Sequence, residues 1–143
     1  LRCGWILAEP DLAERMWRLN DLFGVNQPHQ SEMLSCFAFK HLDEIAAGTV
    51  ERLAANRALF NDFVASRGDV GCMRAEHGIT VFPRWMGGDV EPLHTLLRSK
   101  YDTSIVPGRW FDMPEHFRVG LGGDTAMLKE GLARLGSALH ELK

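Results

Sequence analysis

Apolar positions along the chain recur with a helical period in the first half and turn to mixed strand and helix patterning in the second. The opening stretch, Leu1-Arg2-Cys3-Gly4-Trp5-Ile6-Leu7-Ala8, reads as a strand. Glu9-Pro10-Asp11 then opens a helix whose Leu12, Met16, Leu19 and Phe23 share one face, and Gly24 stops it. After Asn26-Gln27-Pro28 breaks the chain, Ser31-Glu32 starts a second helix, with Met33, Leu34, Phe37 and Ala38 expected inward. A third helix is expected over 42–67, because Leu42, Ile45, Ala46, Val50, Leu53, Phe60 and Val64 keep the period until Gly68. At roughly seven turns it is longer than a small core requires, a length that suits a helix bridging two domains.

From Asp69 onward the pattern changes. Gly78-Ile79-Thr80-Val81-Phe82 alternates like a strand and meets Pro83. Asp89-Val90-Glu91-Pro92 starts a helix carrying Leu93, Leu96 and Leu97. Thr103 to Val106 is a short strand cut off by Pro107-Gly108, and Phe117 to Leu121 is another. Asp124 is a good N-cap for the closing helix, whose Leu128, Leu132, Leu135, Leu139 and Leu142 mark the buried face. Strand, helix, strand, strand, helix predicts an α+β layer in the last part of the chain. The first 41 residues offer one strand and two helices, too little for a core of their own. A chain opening on an unpaired strand with no initiator methionine reads as a fragment.

Composition narrows the class. The 143 residues make one domain, or one domain and part of another. A net charge of −3 without a lysine- or arginine-rich run argues against a nucleic-acid partner. No apolar stretch nears the roughly 20 residues of a membrane span, and the N-terminus lacks signal-peptide order. Cys3, Cys36 and Cys72 form no Cys-x-x-Cys pair and read as free thiols, Cys36 and Cys72 as inert ones in apolar surroundings. They point to a reducing compartment, the cytoplasm.

Most candidate chemistry is weak. Gly120-x-Gly122-Gly123 lies between strand and helix, where phosphate can bind. A dinucleotide fingerprint would need a glycine where Thr125 stands, so close backbone packing is the preferred reading. His29, His41, His77, His94, His116 and His140 are scattered without metal spacing. No Gly-x-Ser-x-Gly motif is present, and Lys40, Lys100, Lys129 and Lys143 fall at helix ends or on polar faces. Arg2 and Arg118 differ, each set in an apolar strand with glycine two residues on. Such an arginine is solvated, paired within the fold, or used for bidentate capture of a carboxylate or phosphate. A guanidinium buried in the Phe117–Leu121 strand would need an anionic partner, from elsewhere in the fold or from a ligand.

Several segments occur in a telling order: Leu1-Arg2-Cys3-Gly4-Trp5, the long helix, Ser104-Ile105-Val106-Pro107-Gly108-x-x-Phe111, Phe117-Arg118-Val119-Gly120, and Leu128-x-x-Gly131-Leu132-x-Arg134-Leu135. Together they resemble the C-terminal part of the class I/II aminotransferases, fold-type I enzymes that use pyridoxal phosphate. The resemblance implies an α+β arrangement within the α/β family. Residues 1–41 would be the trailing segment of the large cofactor-binding domain, 42–68 the interdomain helix and 69–143 the small domain. It implies that Arg118 holds the substrate α-carboxylate and that Arg2 contacts the cofactor phosphate. The Schiff-base lysine would precede Leu1, so no catalytic residue is expected here and the chain alone should be inactive. Cys3 departs from the family's usual aliphatic residue. The implied reaction transfers an amino group between an amino acid and a 2-oxo acid, in a homodimer. A lyase on the same fold, or the aminotransferase-like effector domain of a transcription regulator, stays open.

Overall fold

A computed structural model describes residues 4–24 and 28–143. The chain divides into two compact units, Leu1–Ala47 and Gly48–Lys143, which part inside the longest helix.

In the first unit the helical periods produce helices. Helix α1 is Pro10–Phe23, with proline in its first turn, where a missing N–H costs nothing. It ends as the Gly24 N–H donates to the Asn20 carbonyl at 2.7 Å. Helix α2 is His29–Lys40, starting two residues before Ser31, and α3 is Leu42–Ala65. The expected burial does not follow. Ser35 is the buried residue of α2, its hydroxyl donating to the Ser31 carbonyl at 2.7 Å, whereas Met33, Leu34 and Phe37 are exposed. No described residue of α1 is buried, and Trp17 and Phe23 stand 69% and 84% exposed. Of the expected first strand, residues 4–8 form no strand and 1–3 lie outside the described residues.

The second unit has a core. Strand β1 (Val70–Gly71) pairs antiparallel with β3 (Arg84–Trp85). A second sheet places β5 (Phe117–Gly120) between β2 (Thr80–Val81) and β4 (Val106–Pro107), both antiparallel to it. Strand β4 includes Pro107, the residue expected to stop it. An edge strand tolerates a proline, because an N–H on its free side has no ladder to join. Helices α4 (Glu91–Lys100) and α5 (Thr125–Glu141) complete the unit. Phe60 of α3, Leu93 and Leu97 of α4, Phe117 of β5 and Leu139 of α5 are fully buried together. Each such side chain removed from water stabilises the fold by about 1.5–3 kcal/mol. Helix α5 starts as expected, with Asp124 accepting from the Met127 N–H at 3.0 Å.

A polar clamp joins two helix ends in this unit. Arg67, just past α3, donates to both carboxylate oxygens of Asp69 at 2.8 and 2.7 Å, and Lys143 reaches Asp69 at 2.9 Å. The hydrogen bond from Arg67, helped by Lys143 and opposed by burial, lowers the Asp69 pKa to about 2.

Candidate carboxylate-binding site

Arg118 lies on the central strand of the three-stranded sheet, opposite Val106 of β4. Burial alternates along β5: Phe117 is buried, Arg118 exposed, Val119 half-buried and Gly120 exposed. The guanidinium is therefore not a buried charge, contrary to expectation. A sheet with one covered face buries only alternate residues, so the apolar neighbours Phe117 and Val119 take the inner positions. The Arg118 side chain makes no ion pair and no hydrogen bond with any described residue. Its recorded interaction is with an aromatic face, the guanidinium carbon standing 5.7 Å from the centroid of the Phe111 ring.

The backbone that carries Phe111 is tightly specified. Gly108–Phe111 forms a 3-10 turn directly after β4. Its entry is fixed by the Gly108 N–H donating to the His116 carbonyl at 2.7 Å and by the Met113 N–H donating to the Gly108 carbonyl at 3.0 Å. A Cβ at residue 108 would collide with the Met113 and His116 carbonyl oxygens, so glycine is required there. Asp112 closes the turn in the left-handed region at φ 55°. Beyond Phe111, the Phe82 ring meets it edge-on at 5.2 Å and stacks on His116 at 5.1 Å.

The segment leaving β5 is held by a residue that the sequence reading passed over. Asn56 of α3 is fully buried, and its Nδ2 donates to the Leu121 carbonyl at 2.8 Å and the Gly123 carbonyl at 3.0 Å. The available signal was its place on the same helical face as Leu53 and Phe60, both buried. The glycines here do not serve close packing, as had been expected. A Cβ at Gly120, Gly122 or Gly123 would meet nothing within 4 Å.

Arg118 borders a cleft of about 530 Å³. Ile105, Val106, Met127 and Leu128 give it apolar walls, with Thr80, Ser104 and Asp124 as further polar lining. Arg118 is its one cation among the described residues, and no lysine lines it. Lys40 and Lys129 are exposed, Lys100 donates to Glu141 at 2.8 and 2.7 Å, and Lys143 belongs to the Asp69 clamp. Arg2, the other arginine singled out in the sequence, lies outside the described residues. His41 stands 3.6 Å from Glu44, but no group of three potential metal ligands occurs among the described residues. Cys36 is exposed rather than set in apolar surroundings; Cys72 is half-buried, and burial pushes its thiol pKa up.

Comparison with known proteins places this geometry. The pattern that defines aminotransferase class I and II matches residues 1–135. The chain belongs to this family. It is 28% identical over 141 residues to capreomycidine synthase of Streptomyces vinaceus, an alignment covering 97% of this chain and 36% of that protein. Its fold is similar to a PLP-dependent aminotransferase from Streptococcus suis, with TM-score 0.83 and 20% identity over 98% of this chain and 38% of that one. It is also similar to the PLP-dependent cyclase OrfR, with TM-score 0.78 and 24% identity over 94% of this chain and 38% of the cyclase. The chain thus spans little more than a third of the length of these relatives.

The α+β architecture is that of the corresponding part of PLP-dependent aminotransferases. Pyridoxal phosphate is the cofactor that aminotransferase membership implies. The described residues do not make a seat for it. A covalent attachment needs a desolvated amine, and every described lysine is exposed or engaged with a carboxylate away from the cleft. Among the described residues, no helix is long and apolar enough to cross a membrane.

Proposed function

We propose that this chain is the C-terminal, substrate-carboxylate-binding part of an aminotransferase that moves an amino group between an amino acid and a 2-oxo acid. Residues 1–41 trail from the cofactor-binding domain, 42–68 form the interdomain helix and 69–143 form the small domain. The observation that carries the reading is Arg118, an exposed guanidinium on a central strand, at the wall of an apolar cleft, with its donors unclaimed by any described residue. A planar fork in that state suits a carboxylate, which accepts two parallel N–H bonds. Fixing the carboxylate on a sheet rather than a loop limits how the remaining substrate can turn. Arg2 takes the cofactor phosphate. The reactive lysine is contributed by residues outside this chain, so the chain alone is inactive, and the whole protein works as a cytoplasmic homodimer. Coverage of 36–38% of the relatives' length supports the division of labour.

The test is substitution of Arg118 in the longest polypeptide that contains this chain. Arg118→Gln should raise KM for both the amino acid and the 2-oxo acid about 10- to 100-fold, as expected for losing a charged hydrogen-bond pair. Arg118→Lys should recover part of that loss. Unchanged KM for both substrates sinks the reading, as does a stoichiometric, lysine-dependent absorbance band when the 143-residue chain is mixed with the cofactor alone. A second reading, ring formation rather than transfer, is favoured by relatives named as a synthase and a cyclase. It keeps the same role for Arg118 and is separated by whether a 2-oxo acid is required for turnover.

A further inference from the structure

The carboxylate clamp just proposed leaves one matter to the aromatic residues beneath it. A free arginine side chain samples many rotamers, and holding it in one geometry costs conformational entropy. Arg118 has no hydrogen-bond or ion-pair partner among the described residues that would hold it. What it has is the Phe111 ring under its guanidinium, at 5.7 Å.

We propose that Phe111 is a positioning residue for Arg118, its ring holding the guanidinium in place while the hydrogen-bonding fork stays free for a carboxylate. The geometry favours this over a bystander contact on three counts. Contact with an aromatic ring restrains a guanidinium without occupying its fork, as an acidic neighbour would. The ring is itself braced, edge-on against Phe82 at 5.2 Å, with Phe82 stacked on His116 at 5.1 Å and an interplanar angle of 20°. The backbone presenting it is pinned, since the turn containing Phe111 starts at a residue where only glycine fits. Arg118 and His116 sit two residues apart around Phe117, so the guanidinium and the last ring of the brace belong to one stretch of chain. The inference rests on the carboxylate reading of Arg118.

The experiment uses the full 143-residue chain, labelled with ¹⁵N, and follows the Arg118 Nε–Hε signal. Its heteronuclear NOE reports order, and titration with pyruvate reports carboxylate binding. Phe111→Leu should mobilise Nε and weaken pyruvate binding about three- to tenfold, while Phe111→Tyr stays within about twofold of the unsubstituted chain, as loss and retention of a cation–π contact predict. Backbone heteronuclear NOEs of β5 should stay unchanged in both variants, which separates a loosened side chain from a loosened strand. If Phe111→Leu leaves Nε as ordered and pyruvate as tightly bound as before, while Arg118→Gln abolishes binding, Phe111 has no such role and the clamp stands. A flat titration of the unsubstituted chain overturns the clamp, and with it the purpose assigned to the ring.

Discussion

The units on either side of Ala47 are written in the same apolar periodicity and finish with opposite surfaces. In α5 the leucines of the predicted face are all buried or half-buried, from Leu128 to Leu142. In α1 and α2 the residues of the predicted faces are mostly open, with Leu12, Leu19, Phe23, Met33, Leu34 and Phe37 all exposed. The difference teaches that amphipathic spacing announces a face in need of cover without saying where in sequence the cover is encoded. In the second unit, β5, α4 and α5 cover one another and part of α3. In the first, the described residues supply no such layer.

The sharpest way to break this comparison is a pair of matched truncations. Phe60→Ala, at a fully buried position of the second unit, should lower unfolding free energy by about 3–5 kcal/mol. Phe37→Ala, at a position 62% exposed, should change it by less than about 0.5 kcal/mol. Urea denaturation of both variants measures the gap, and equal losses would mean that the first unit has a core after all.

Asn56→Ala comes next in size. It leaves the Leu121 and Gly123 carbonyls without their buried donor, at a cost of about 1–3 kcal/mol. The same denaturation experiment checks it, and a neutral result would mean that water takes the place of the amide.

The pH dependence tests the polar clamp of the second unit. The folded pKa of Asp69, about 2, lies below its ordinary 3.8, so the clamp's contribution is fully present above pH 4 and is lost as pH falls through 2. Linkage puts that contribution on the order of 2 kcal/mol. Asp69→Asn should therefore be less stable than the unsubstituted chain at pH 6, and the gap should shrink at pH 2.5. A gap that stays constant between those pH values would show that the carboxylate's charge is not what stabilises the helix ends.

How much of this was legible in the sequence follows from the range over which each signal acts. The five helices were legible because each repeats its period over several turns, with Pro10, Gly24 and Asp124 marking ends. The strands were harder. Four of the five among the described residues are two residues long, too short to display an alternation, and no strand was expected at β1 or β3. Asn56 shares a helical face with Leu53 and Phe60, but its partners lie 65 and 67 residues later in the chain, so its role stayed out of view. The exposure of Arg118 was misread for a related reason. Phe117 and Val119 make the strand look continuous in apolar character, and only the sheet shows that they share one side while Arg118 takes the other.

Gly108 shows how such constraints would look to a geneticist. Any other residue there drives a side-chain carbon into the Met113 and His116 carbonyl oxygens, so a screen that selected only for folding would reject every replacement. A scan read without coordinates would rank this position beside the groups that handle ligand, although it offers a ligand no side chain at all. Intolerance at residue 108 would then be a record of two oxygen atoms and the curvature between them, and Arg118 would be the residue whose loss is felt only when carboxylate is added to the assay.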